Sequence, residues 1–221
     1  MTTTQYVYEA IRKIKPGVVF TFHSVLSEDS KSEATIKALN RMVAEGSLSK
    51  LAKGKFYRSE KSIFGTLPPD QNEIIKDLLW KDGDPIGYLT GLTLYAKLGL
   101  TTQISNVIEI ARCNAKQPIK RKNYRILFSM QKNTIKKDNI HLLQLLDVIK
   151  NIKKIPDAEL KFLIVRIKYL LSNLNEKECD YIIELSSNYP PSTRALLGLI
   201  LETISGMNTK LLSLNKMLNP V

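Results

Sequence analysis

Between Ser30 and Arg58 the apolar spacing switches from one period to another, and that switch limits the folds open to the chain more than any other feature. Ile36, Leu39, Met42 and Val43 recur at the intervals of a 3.6-residue turn, which predicts a helix with one apolar side. Ser30, Lys37, Asn40 and Arg41 then face outward. Ser30 or Ser32 can cap the first N–H groups, and Gly46 supplies the left-handed backbone that ends the helix. After it, Leu48 to Ala52 and Phe56 to Arg58 flank Lys53-Gly54-Lys55, the pattern of two short strands joined by a tight turn. The prediction is a helix followed by a lysine-tipped β-ribbon.

Upstream, Tyr6, Ala10, Ile11 and Ile14 share a helical face that must stop at Lys15-Pro16-Gly17. Val18 to Phe20 is a brief apolar run, and Thr21 can cap a short second helix over Phe22 to Leu26. Ser27 to Ser30 makes the turn. Helix, strand, helix, turn, helix, hairpin is the order of a winged helix-turn-helix, whose second helix of the motif enters the major groove of duplex DNA. Ser32, Glu33, Lys37, Asn40 and Arg41 are therefore the candidates for base edges, and Lys53, Lys55 and Arg58 for phosphates. Residues 1–65 hold eleven Lys/Arg against six Asp/Glu, and seven of those bases fall between Lys31 and Arg58. Such a face also suits plain protein docking.

The formal charge of +12 points to a polyanionic partner, nucleic acid before membrane. No run approaches the roughly 18–20 apolar residues of a membrane span. Met1-Thr2-Thr3-Thr4-Gln5 has neither the basic start nor the apolar core of a secretory signal, so a cytoplasmic location is expected. Cys113 and Cys179 lie far apart and are expected to be free thiols.

A second region follows the connector Gly65-Thr66-Leu67-Pro68-Pro69. Asn72 to Trp80 reads as a helix broken by Asp82-Gly83-Asp84-Pro85, and Ile86 to Gln103 as a buried helix ending at Gly99. Val107 to Cys113 and Tyr124 to Met130 read as strands, with Pro118 to Lys122 between them. Arg112 to Lys137 contains nine Lys/Arg and no Asp/Glu. Arg112, Lys120, Arg121, Lys122 and Arg125 are candidates for a second basic surface. It would be a solvated edge that discourages strand pairing, a phosphate-facing surface, or a receiver of an acidic protein.

Tyr6 to Arg58, then Gly87-Tyr88-Leu89-Thr90-Gly91-Leu92, Leu98-Gly99-Leu100-Thr101-Thr102-Gln103 and the two strands, resembles the AbiEi family of type IV antitoxins. The resemblance covers roughly residues 5–135, with a fainter echo at Tyr189 to Gly198. It implies an amino-terminal winged helix and an antitoxin domain, autorepression through inverted repeats in the operon's DNA, and neutralisation of a nucleotidyltransferase toxin, often without a stable complex. Two copies on a palindromic operator are expected, from a monomer or dimer in solution.

Asp138 to Val221 reads as wholly helical: Ile140, Leu143, Leu146, Ile149 and Ile152 form one stripe, Leu160, Leu163, Ile164, Ile167, Leu170 and Leu171 another, Cys179 to Leu185 a third, and Thr193 to Ile204 and Lys210 to Leu218 two more. The fold class expected is α+β: a winged helix-turn-helix over 1–65, an antitoxin-like α/β segment over 70–135 and a helical bundle over 136–221.

No catalytic constellation stands out. His23 and His141 have no clustered partners for zinc, and no Walker loop, dinucleotide-binding glycine pattern or nucleophile elbow occurs. Glu176, Glu178 and Asp180 suit a helix start. The chain is expected to be a non-enzyme without cofactor or metal. The alternative function is a winged module that docks directly onto a partner protein, and a third is binding of structured RNA.

Overall fold

The computed structural model describes residues 2–26, 32–63, 65–114 and 116–204, and its structure is mixed helix and sheet. It divides into two compact units, Met1–Asp77 with Arg121–Asn123, and Leu78–Lys120 with Tyr124–Val221.

In the first unit, helix α1 (Thr3–Lys13) starts at Thr2, whose hydroxyl accepts from the Gln5 N–H while the Gln5 side chain accepts from the Thr2 N–H. Strand β1 (Val19–Thr21), a 3-10 turn (Phe22–Val25) and helix α2 (Ser32–Ala44) follow. Strands β2 (Ser49–Ala52) and β3 (Lys55–Tyr57) close a three-stranded antiparallel sheet of order β1-β3-β2, with Lys53-Gly54 at the turn. Val7, Ile11, Phe20, Val25, Leu39, Met42, Leu48 and Phe56 meet in one core. Burial of each such side chain contributes about 1.5–3 kcal/mol against the entropy of ordering this small body. Strands β4 (Glu60–Ser62) and β5 (Gly65–Leu67) form a separate pair before helix α3 (Gln71–Leu79), whose Glu73 carboxylate accepts from the Val19 N–H at 3.1 Å.

The register of α2 departs from expectation by one residue. Thr35 is buried with Ala38, Leu39 and Met42, while Ile36 faces outward and Val43 is half-buried. Thr21 makes no side-chain cap for the 3-10 turn. The turn Ser27 to Ser30, the Ser30 cap, Lys31 and the helix expected at Lys210 to Leu218 lie outside the described residues.

The second unit opens with the two-residue pair β6 (Trp80–Lys81) and β7 (Asp84–Pro85). It continues through β8 (Tyr88–Thr90), α4 (Gly91–Lys97), β9 (Val107–Arg112), β10 (Ile119–Arg121) and β11 (Tyr124–Met130). The sheet order is β10-β11-β9-β8, with β9 parallel to β11 and antiparallel to β8. Helices α5 (Ile140–Lys150), α6 (Leu160–Ser172), α7 (Glu176–Ser186) and α8 (Pro191–Glu202) complete it, with a 3-10 turn at Ile152–Lys154.

Three expectations are corrected here. The stretch Ile86 to Gln103 is not one helix: Tyr88–Thr90 is a strand and the helix starts only at Gly91, whose φ of +67° breaks the run. An added Cβ there would lie 2.6 Å from the Glu109 carboxyl carbon. Ile119–Arg121 is a strand rather than part of a loop, and Lys122 takes the turn at φ +52°. The boundary expected near residue 135 does not separate two cores, because Tyr88, Leu94 and Leu100 share one cluster with Leu142, Leu146, Ile167, Ile182 and Leu197. Among the described residues, no helix is long and apolar enough to cross a membrane.

Candidate nucleic-acid interface

Helix α2 buries one side in the first unit's core, so the opposite side is presented by geometry alone. Ser32, Glu33, Lys37, Asn40 and Arg41 all fall there and all are exposed. The Lys37 and Arg41 side chains are 76% and 73% exposed. Lys37 Nζ lies 2.9 Å from Glu33 Oε1, and Arg41 Nε donates to Glu45 Oε1 at 2.8 Å, each pair one helical turn apart. The other Glu45 oxygen accepts from the Tyr8 hydroxyl at 2.7 Å. These bonds, from Tyr8 first and Arg41 second, hold the Glu45 carboxyl below the usual carboxylate range. Exposed pairs of this kind are weak and exchange readily with water or another anion.

The wing candidates behave differently from one another. Lys53 is exposed at the tip of the β2–β3 turn. Lys55 is largely covered and lies 2.9 Å from Asp77 Oδ2. Arg58 is half-buried and engaged by backbone: its Nη1 donates to the Arg12 carbonyl at 3.0 Å and to the Ile14 carbonyl at 2.9 Å, closing the open end of α1. Of the three bases assigned to phosphate, Lys53 is the exposed one, and Arg58 is corrected to a helix cap.

The proposed second basic surface is also corrected. Arg121 is 5% exposed, and its guanidinium grips both Asp77 oxygens at 2.5 and 2.9 Å while also donating to the Ile74 carbonyl at 2.6 Å. Burial alone would raise the Asp77 carboxyl, but hydrogen bonds from Arg121 and then Lys55 outweigh it and hold it below its ordinary value. Arg112 is buried, donates weakly to the Leu78 carbonyl at 3.5 Å and leaves its Nε without a partner. Lys120, Lys122 and Arg125 are exposed, with Lys122 Nζ 5.2 Å from the centre of the Tyr57 ring. Two of the five candidates thus serve the interior.

The second unit holds a buried polar cluster that charge counting did not flag. Asp147 Oδ2 accepts from the Tyr88 and Thr90 hydroxyls, and Oδ1 from the Tyr189 hydroxyl, each at 2.9 Å. Gln131 Nε2 donates to both tyrosine oxygens at 2.6 and 2.9 Å. Burial raises the Asp147 carboxyl above its ordinary value, against the opposing pull of the three hydroxyl donors. A pocket of about 440 Å³, lined in part by Gln131, Lys132, Asp147, Lys150 and Tyr189, opens beside it. Its sequence signal was weak: Asp147 sits in an otherwise apolar helix stripe, with partners 42 to 59 residues away. Among the described residues no group of three His, Cys, Asp or Glu is placed to hold a metal ion. His141 lies on the surface, 3.0 Å from Glu178.

The sequence profile of a family described as "Family of unknown function (DUF6088)" matches residues 6–204. In fold, the chain is similar to the RV2827C protein from Mycobacterium tuberculosis, known from a crystal structure: TM-score 0.52, 16% identity, 93% of this chain and 78% of that one covered. No curated protein matches the sequence.

Proposed function

We propose that this chain, which belongs to the DUF6088 family of unknown function, binds duplex DNA through the outward side of α2 and the β2–β3 turn. On this reading α1, the 3-10 turn, α2 and the β2–β3 ribbon form a winged helix-turn-helix, with α2 as the recognition helix. The observation that carries it is the segregation on α2: five polar or charged residues exposed on one side, Thr35, Ala38, Leu39 and Met42 buried on the other, and Lys53 exposed at the following turn. Lys37 and Arg41 exchange their carboxylate partners for phosphates or base edges at little cost, because both pairs are exposed. The resemblance to AbiEi antitoxins extends the proposal to function in the cell: an autorepressor that reads inverted repeats and counters a nucleotidyltransferase toxin.

The test is binding of a labelled duplex carrying the chain's own upstream DNA. Wild type binds, binding weakens steeply with salt, and RNA competes less well than DNA. Lys37→Glu and Arg41→Glu each abolish binding while leaving the melting curve in place. Unchanged binding after both substitutions overturns the assignment of α2.

Docking onto a protein is the second reading, favoured by one observation: Lys55 and Arg58 are engaged internally, which leaves the wing fewer free cations than its sequence suggests. A complex that persists at high salt while DNA affinity is absent selects it.

A further inference from the structure

Helix α6 packs Leu163, Ile167 and Leu171 into the second unit's core. Its other side is not the polar surface that such a helix ordinarily presents. Phe162, Val165 and Tyr169 are 50%, 63% and 56% exposed. Their three- and four-residue spacing stacks them into one stripe, about 10 Å long at the helical rise per residue. A contiguous apolar stripe left in water marks a surface with a partner.

The charges of α6 carry one sign. Lys161, Arg166 and Lys168 lie on it, and it contains neither Asp nor Glu. Arg166 Nε donates to the Leu98 carbonyl at 2.9 Å, and its guanidinium sits 5.2 Å from the centre of the Tyr169 ring. Lys168 Nζ donates to the Thr203 carbonyl at 2.7 Å. Both are anchored by neutral carbonyls, which fixes their position without cancelling their charge. Of the carboxylates just ahead of the helix, Asp157 accepts from the Gln103 side chain and Glu159 is the residue before its first turn.

We propose that the outer side of α6 is a docking surface for an acidic amphipathic helix of another protein. The partner's apolar residues would lie over Phe162, Val165 and Tyr169, and its carboxylates against Lys161, Arg166 and Lys168. Charge selects this occupant. A second copy of the chain would set the same cations against themselves in a molecule of formal charge +12. Residues 205–221 carry Lys210 and Lys216 and neither Asp nor Glu, so they repeat the sign of α6. An anionic bilayer would match the charge, but two turns of apolar side chain fit one helix crossing at about 8–10 Å, whereas a helix lying in a bilayer immerses a broad continuous face. The inference concerns the second unit alone and stands independently of DNA binding by the first.

Two labelled peptides test it on the full-length protein by fluorescence anisotropy. Both place leucines at helical spacing; one carries glutamates between them and the other lysines. The glutamate peptide binds saturably and at least about tenfold more tightly than its lysine counterpart. Val165→Ser and Val165→Glu each weaken it about tenfold or more, with the protein's melting curve unchanged. Equal affinity for the two peptides overturns the proposal, as does indifference to Val165→Ser. So does binding that appears only after residues 205–221 are removed, a wild-type dimer in sedimentation that Val165→Glu dissociates, or retention on phosphatidylglycerol vesicles without peptide binding.

Discussion

Replacing Asp147 separates two costs that the folded second unit balances against each other. Asp147→Ala withdraws the acceptor from three buried hydroxyls, those of Tyr88, Thr90 and Tyr189. Each buried hydrogen bond left unmade costs about 1–3 kcal/mol. Gln131 stays in contact with both tyrosine oxygens, which compensates part of the loss, so the expected destabilisation is about 3–5 kcal/mol. Asp147→Asn keeps the shape and one acceptor but turns an amide donor toward a hydroxyl, at about 1–2 kcal/mol. The pH dependence distinguishes the charge from the shape. Because burial raises the folded carboxyl above its unfolded value, the proton binds the native state more readily. The associated stability is complete below the unfolded value near pH 4 and is lost as pH rises through the raised native one. Asn has no such dependence. Urea unfolding followed by the single Trp80 should therefore show Asp147→Asn costing more at pH 4 than at pH 7. A penalty that is constant with pH, or larger at pH 7, would mean that the folded Asp147 carboxyl is not raised, and an Asp147→Ala penalty below about 1 kcal/mol would mean that its three hydroxyl bonds contribute little.

Asp77 has the opposite sign. Its carboxyl is held low, so its stabilising contribution is present above the unfolded value and disappears as pH falls through the native one. Asp77→Asn should cost about 2–3 kcal/mol at pH 7, at the low end for stranding a buried arginine because Asp77 is itself partly exposed, and the penalty should shrink toward pH 3 in parallel urea titrations. Gly91→Ala should destabilise by about 1–3 kcal/mol in thermal melts, since it combines a left-handed backbone with a Cβ pressed against Glu109. Arg58→Ala should lower stability by about 1 kcal/mol through the lost α1 cap, whereas Lys53→Ala should leave the melt unchanged and weaken DNA binding; differential scanning calorimetry and a binding titration on both variants separate the roles.

The parts of the fold that could be read from sequence are those in which one period dominates. Helix α2 shows it well: four apolar positions at helical spacing placed the helix, although the inward role of Thr35 and the outward one of Ile36 followed packing rather than hydropathy. The β2–β3 turn was visible because Gly54, between two short apolar runs, admits the left-handed backbone that a tight hairpin needs, and it takes φ +71°. Ile86 to Gln103 misled because it is apolar at both the strand and the helix period, and only the backbone at Gly91 decides between them. Arginines misled for a different reason. Arg58 and Arg121 contribute the same formal charge as Arg41, yet their partners lie 44 to 47 residues away in sequence, and a charge count cannot tell a side chain that meets solvent from one that closes a helix or grips Asp77. In the Tyr8–Glu45–Arg41 chain, Glu45 stands one helical turn after Arg41, a spacing that the sequence carries, whereas the Tyr8 hydroxyl comes from 37 residues away.

Binding to duplex DNA should weaken with salt in proportion to the phosphates that the chain neutralises. With Lys37, Arg41 and Lys53 each neutralising a phosphate, the logarithm of affinity should fall against the logarithm of salt with a slope of about −3 per bound chain, and Lys53→Ala should make it shallower by about one. A slope near zero, or one that Lys53→Ala leaves unchanged, would mean that α2 and the β2–β3 turn do not meet DNA phosphates.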